Sequence, residues 1–390
     1  MPATDRAPVA LALGGLFSLA AAMGIGRFVY TPILPFMADG LGMPAGDAGL
    51  IASANFLGYL VGALAGASSF LAGSPRAWFL GGLVVSAVTS AAMALTDAVS
   101  AFVVIRFVSG MASAFVLVFS TTLVLERLTE DGRGSLSAVH FAGVGCGIAF
   151  SALLIAGLGH MSLDWKTMWL ASGASTAVFL VVAAVLVPSR PPATVTASTA
   201  APDENGSALA INSSLVRLIL AYGLFGFGYV ITATFVSTIA RSSADLAPVE
   251  PYVWLAVGIS AAPSIYIWNR IASATGLRRA FAAACVLEAA GVALTAVTAN
   301  QIFFLAGAAL LGGTFMGITA LGLMEARRLA SPRGPAAIRK MLAILTASFG
   351  LGQVAGPWIA GQLHAMTGSF QTASLAAAGA LVVSAVLVAR

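Results

Sequence analysis

Residues 23–38 read Met-Gly-Ile-Gly-Arg-Phe-Val-Tyr-Thr-Pro-Ile-Leu-Pro-Phe-Met-Ala. The stretch is too apolar for a soluble loop, yet it carries Arg27 deep within a run that otherwise fits a membrane span. An arginine at the bilayer centre costs about 2.5–3.5 kcal/mol on insertion scales, so it normally faces a cavity or a partner. Gly24 and Gly26 precede it, and Pro32 and Pro35 follow. A helix interrupted in this way bends and exposes carbonyls beside a binding site. The stretch has an echo: residues 226–240 read Gly-Phe-Gly-Tyr-Val-Ile-Thr-Ala-Thr-Phe-Val-Ser-Thr-Ile-Ala. Gly24 aligns with Gly226, Gly26 with Gly228 and Ala38 with Ala240, while Arg27 falls on Tyr229. The chain reads as two related halves, each opening with a special helix.

Composition points the same way. Of 390 residues, 59% are hydrophobic and 8% charged, against about 25% charged in soluble domains. Apolar runs long enough to span a bilayer as helices recur throughout, and the alternating segments of a membrane β-barrel are missing. The net charge of +5 does not indicate nucleic acid, because the basic residues sit beside span ends. Cys146 and Cys285 both lie inside apolar runs and form no disulfide framework or metal-ligand spacing. The first apolar run follows a short N-terminus without a small-residue cleavage site, so it reads as a retained span. No Gly-x-x-x-x-Gly-Lys-Ser/Thr loop occurs, so neither ATP nor another cofactor is expected. His140, His160 and His364 are scattered, and no nucleophile, histidine and acid combination suggests an enzyme.

Twelve spans are expected, at about 9–37, 47–72, 77–95, 100–126, 136–158, 166–187, 214–240, 251–271, 279–299, 302–327, 338–363 and 370–389. Residues 189–213, rich in Pro, Ala, Thr and Ser, read as a flexible linker. The linker divides the chain into an N-terminal unit, 1–188, and a C-terminal unit, 214–390, of six spans each. With the N-terminus in the cytoplasm, fifteen of the nineteen Lys and Arg residues fall on the cytoplasmic side. Lys166 and Arg241 fall outside, and Arg27 and Arg106 lie within spans. That bias sets the orientation, with both termini cytoplasmic.

Two six-helix halves, a central cytoplasmic linker and both termini inside resemble the major facilitator superfamily. Arg106-Phe-Val-Ser-Gly110 in span four resembles its Arg-x-x-x-Gly element. Gly350-Leu-Gly352-Gln353-Val-Ala-Gly356-Pro357-Trp-Ile-Ala-Gly361 in span eleven resembles its Gly-Pro antiporter-type element, with Gly143, Gly145 and Gly147 in span five as a proline-less counterpart. The run from Gly24 to Pro32, with Tyr222-Gly-Leu-Phe-Gly-Phe-Gly-Tyr229, resembles the little-characterised bacterial YbfB/YjiJ-type branch. One departure concerns the loop between spans two and three, where the superfamily usually carries Gly-x-x-x-Asp-Arg-x-Gly-Arg-Arg. Here it is Gly73-Ser74-Pro75-Arg76, without an acid. The loop between spans eight and nine has Asn269 where an aspartate is expected, then Arg270, Gly276, Arg278 and Arg279.

Arg27 is the strongest single signal. Either it is a cationic site for a carboxylate or other oxyanion, with Tyr30 and Thr31 on its face, or it is structural, bonded to helix carbonyls or paired with an internal acid. Asn55 and Tyr59 in span two either line the cavity or hydrogen-bond between helices. Beside them Gly58, Gly62 and Gly66 read as a packing stripe. Tyr229 and Thr232 sit at the repeat position of Arg27 and Tyr30, and repeat-related sites flank a midplane cavity in such folds. Gln353 and Trp358 in span eleven are lesser substrate-contact candidates, with packing as the alternative for Trp358. The proton-coupling or gating candidates are Arg106, Glu126, His140, Glu288 and Glu325. Each has a structural alternative, such as pairing of Glu126 or Glu325 with Arg127, Arg327 or Arg328.

The expectation is therefore an all-α integral membrane protein of the bacterial inner membrane. It is read as a monomeric secondary transporter with lipid around it. It would move a small solute, preferably an organic anion, by alternating access, driven by protons or by the solute's own gradient. The rivals are an efflux antiporter for amphipathic drugs or metabolites and, from another class, a non-transporting membrane sensor.

Overall fold

The computed structural model describes residues 3–68, 71, 73–189 and 213–390. The interior of the expected linker, with Arg190, lies outside the described residues. Among the described residues fifteen α-helices run in the order α1 Ala3–Leu19, α2 Tyr30–Leu41, α3 Ala45–Gly66, α4 Pro75–Ala92, α5 Val99–Ser120, α6 Glu126–Glu130, α7 Ser137–His160, α8 Trp165–Leu186, α9 Ser213–Arg241, α10 Glu250–Ala261, α11 Ser264–Thr275, α12 Leu277–Val297, α13 Gln301–Ala330, α14 Pro335–Thr367 and α15 Gln371–Ala389. No strand occurs among the described residues.

Helix ends follow local chemistry. Pro75 and Pro335 stand at the first positions of α4 and α14, where the missing N–H costs nothing. The Asp164 carboxylate accepts from the Thr167 N–H at 2.9 Å and caps α8. Asn300 accepts from Ile302 N–H (3.0 Å) and Phe303 N–H (3.2 Å) and caps α13. Gly42, at φ +59, ends α2 in the left-handed conformation that favours glycine.

Eleven helical segments are long and apolar enough to cross a membrane among the described residues. Their outer faces are apolar. On α8, Val178, Val181 and Val185 are 60%, 61% and 74% exposed, a stripe that suits lipid rather than water. The eighth expected span differs. Residues 251–271 fall on α10 and α11, two helices of 12 residues each, broken at Ala262 and Pro263. Proline removes a helical donor and clashes with the preceding turn. The break is tied to α13: Ser264 Oγ donates to Gly313 O (2.8 Å), Trp268 Nε1 donates to the same oxygen (2.8 Å), and the Gly317 N–H donates to Ser264 Oγ (3.0 Å).

The first span is broken too. After α1 the chain winds through a wide π-type segment, Ala20–Ile25, and a turn at 26–29 before α2 begins. Gly24 lies directly against the backbone of Gly147 on α7.

Small residues set the helix spacing. Gly58 and Gly62 of α3 face the carbonyls of Phe107 and Met111 on α5, and Gly110 of α5 faces Asn55 O in return. The expected stripe therefore packs α3 on α5. Between the chain halves, α3 packs on α14, α7 on α10 and α2 on α9. Gly145 abuts Ala262 and Gly258 abuts Ala149 at the α7–α10 crossing.

A side chain at Gly58 would strike Phe107 O, whereas one at Gly81 meets nothing within 4 Å. Gly58→Val should therefore destabilise the protein by about 1–3 kcal/mol, as overpacking does. Gly81→Val should leave stability unchanged. Melting of both variants in detergent, followed by size-exclusion recovery after heating, checks the contrast.

Candidate functional site

The break in span one leaves backbone carbonyls without helical donors, in surroundings where water cannot replace them. Side chains from α5 fill the gap. Arg106 Nη1 donates to Gly26 O (2.9 Å), Arg106 Nη2 to Arg27 O (2.7 Å), and Ser109 Oγ to Gly26 O (3.1 Å). Arg106 is 2% exposed and is spent on this backbone.

The turn so fixed carries the Arg27 side chain. Among the described residues, the guanidinium's one hydrogen bond runs from Nη2 to Gln353 Oε1 on α14 (3.0 Å). Gln353 Nε2 in turn donates to the Tyr229 hydroxyl on α9. Three rings surround the guanidinium carbon: Tyr59 at 3.9 Å, Phe56 at 4.8 Å and Phe28 at 5.3 Å. Cation–π attraction partly replaces water for a desolvated guanidinium. Nε is buried without a partner, and no carboxylate pairs with Arg27 among the described residues. The positive charge therefore stands uncompensated.

Arg27, Tyr59, Tyr229 and Gln353 line a cavity of about 510 Å³. The cavity runs from these mid-span residues toward Ser137 and Arg327, near the ends of α7 and α13, and Asn269 on α11. Met324, Asn269 and Arg327 at that end are exposed. This is the basic face, where Arg76, Arg127, Arg278, Arg279 and Arg328 also lie. The cavity walls are mostly apolar and aromatic, with Phe28, Tyr222, Phe315 and Phe349, and among the described residues no aspartate or glutamate lines them.

The opposite end is sealed. Thr31 Oγ1 donates to Ala233 O (2.7 Å), joining α2 to α9. Arg241 pairs with Asp39 (3.3 Å) and lies over the Phe36 ring (3.9 Å). Gly49 rests on Pro357 O and Gly361 on Ala45 O. The protein is thus open to the basic face and closed to the other.

Several expected site residues do not line the cavity, and each has a physical reason. Tyr30 donates to Ala48 O (3.0 Å). Tyr30 and Thr31 share only a small enclosed gap with Arg27, because the turn at 26–29 interrupts the helical register. Asn55 Nδ2 is bound to Arg106 O (2.9 Å), tying α3 to α5. Thr232 is buried one turn from Gly228, whose open side abuts Ala377 and Leu381 of α15. Trp358 is 49% exposed on the outer surface of α14.

The titratable candidates also lie away from the cavity. His140 is buried against Gly15, with Ser120 Oγ at 3.4 Å from Nε2. Glu325 accepts two bonds from Arg328, both 2.7 Å. Glu126 is exposed at the basic face. Glu288 is buried within the second half, both oxygens without a hydrogen-bond partner. Sequence reasoning passed over Phe56, Phe315, Phe349 and Tyr222. A usable signal existed: Phe349 lies one turn before Gln353, and Tyr222 two turns before Tyr229.

A bundle of membrane-crossing helices around one central cavity, open at one face, defines a multi-pass membrane transporter. The chain belongs to the major facilitator family described as "Uncharacterised MFS-type transporter YbfB", whose model matches residues 19–389. Solved structures share the fold. A point mutant of the nucleoside transporter NupG superposes with TM-score 0.76 at 18% identity, covering 98% of this chain and 99% of that one. A second NupG structure gives 0.74 at 18% identity, covering 97% and 98%. The human organic anion transporter MFSD10 (TETRAN) gives 0.66 at 18% identity and 100% of both chains. No curated protein sequence matches.

Arg106→Met removes the donor for Arg27 O and one of the two for Gly26 O. It should cost about 2–4 kcal/mol of stability, since hydrogen bonds from a charged donor contribute about 1.5–3 kcal/mol each. Val104→Ala, on an exposed face of the same helix (62% exposed), should leave melting in detergent unchanged. Equal melting of the two variants would contradict the role given to Arg106.

Proposed function

We propose that the chain is a secondary transporter that carries a small organic anion across the bacterial inner membrane. The observation that supports this most is the Arg27 guanidinium. It lies at the deep end of the cavity, beside Gln353 and Tyr229, without a carboxylate partner. An arginine that lines a membrane-spanning cavity without an acidic partner favours an anionic solute there, and the solute's carboxylate fills that role. Arginine suits the task because its planar fork meets a carboxylate with two parallel bonds.

Alternating access is the cycle we assign to this geometry. The chain is read as two six-helix bundles, 1–188 and 214–390, with the α10–α11 pair as the eighth span. The 189–213 linker and both termini lie in the cytoplasm, as the basic-residue bias implies. The present state is then inward-facing. Opening outward requires breaking the Asp39–Arg241 and Thr31–Ala233 contacts while the basic ends of the bundles close. A proton gradient or the solute's own gradient drives the cycle. In the first case proton exchange is assigned to Glu288, the one acid among the described residues that is buried without a hydrogen-bond partner. A second reading, efflux of amphipathic compounds, draws support from the apolar cavity wall and the Gly356-Pro357 element.

Arg27→Ala should abolish stabilisation of the purified protein by carboxylates while the variant stays monodisperse. Arg27→Lys keeps the charge but loses the fork, and should weaken binding about tenfold or more. A stability-shift screen of organic anions against cations and neutral lipophiles identifies ligands, and counterflow in proteoliposomes tests their movement. Ligands that bind Arg27→Ala as well as wild type would overturn the reading.

A further inference from the structure

The rings beside Arg27 are parallel and stacked. The Tyr229 ring is within 8° of the Phe315 plane and within 5° of the Phe349 plane, with centroids 5.6 and 5.9 Å apart. Three helices, α9, α13 and α14, thus present rings in one common orientation to the cavity. Tyr222 flanks the stack, 5.1 Å from Phe349 and tilted by 33° to it. The guanidinium is joined to the stack through a chain of bonds, Arg27 to Gln353 to the Tyr229 hydroxyl. A fixed cation therefore stands beside a stack of aromatic rings.

Polar groups are interspersed with the rings: Tyr59, Thr319, Thr346 and Gln353 line the same cavity, and Ser137, Asn269 and Arg327 lie toward the mouth. A cation would meet Arg27 at the deep end and Arg327 at the rim. A flat aromatic ring continues this stack through the same offset geometry.

We infer that the substrate is a planar aromatic carboxylate, its ring against Phe315, Tyr229 and Phe349 and its carboxylate on Arg27. This rests on the organic-anion reading above and narrows it. The two elements act separately: Arg27 selects charge, and the parallel rings select planarity and aromaticity.

Matched probes separate them. Binding of benzoate and 2-naphthoate to the purified protein is compared with cyclohexanecarboxylate and decahydro-2-naphthoate, which keep the charge but lose the flat ring. 2-Naphthalenemethanol keeps the ring but not the charge. Isothermal titration in detergent should show each aryl acid binding about five- to tenfold more tightly than its saturated partner. The ratio should fall toward one in Phe315→Leu, and both acids should be lost in Arg27→Ala. Equal binding of aryl and saturated acids, both dependent on Arg27, overturns this inference and leaves the organic-anion reading standing. Binding of the neutral alcohol as tight as that of 2-naphthoate, indifferent to Arg27, overturns both, as does the failure of every carboxylate to bind. If Phe315→Leu does not fold, the wild-type ratio alone decides.

Discussion

The fold turns on a broken helix in a place where broken helices are costly. Between Ile25 and Tyr30 the first span leaves its helical path, and the freed carbonyls of Gly26 and Arg27 face apolar surroundings. Arg106 and Ser109 meet them from α5. One arginine thus makes the break tolerable, and a second arginine, Arg27, is what the break presents to the cavity. Arg106 spends its charge on backbone, while Arg27 keeps its charge uncompensated among aromatic rings.

The same economy of small residues and short side-chain bonds governs how the halves meet. At the closed end, glycines let backbones touch: Gly49 on Pro357, Gly361 on Ala45, Gly258 on Ala149. Such contacts are tight yet carry few hydrogen bonds between helices, which suits an interface that must separate and re-form. The polar exceptions, Thr31 with Ala233 O and Arg241 with Asp39, sit at that same end. Arg241 and Asp39 are both partly exposed, so their pair contributes on the order of a surface ion pair, about 0–1 kcal/mol. A latch of that strength can open when a bound solute favours the other state.

Much of this was legible in the sequence, for physical reasons that can be named. The spans stand out because burying backbone in lipid requires long apolar helices. Arg27 and Gln353 stand out because a cation or an amide inside such a run needs an explanation. What stayed hidden has an equally physical cause. In a membrane protein, phenylalanine suits lipid, packing and cavity walls alike, so Phe315 and Phe349 carried no distinguishing mark, and Trp358 was assigned inward although it faces outward. Tyr30 and Thr31 were placed on the Arg27 face by helical spacing, which does not hold across the turn at 26–29. Pro263 marked the break between α10 and α11, but total length and hydropathy favoured one continuous span.

The central claim is that Arg27 receives the negative charge of the transported solute. The most direct test is an experimental structure of the protein with a bromine-labelled aryl carboxylate such as 6-bromo-2-naphthoate, the anomalous signal fixing the ligand's direction. The account predicts both carboxylate oxygens within hydrogen-bond distance of Arg27, about 3 Å from its terminal nitrogens, with the bromine pointing toward the basic face. A ligand seated with its carboxylate at Arg327, or lying elsewhere in the cavity with Arg27 still bonded to Gln353 alone, would contradict it.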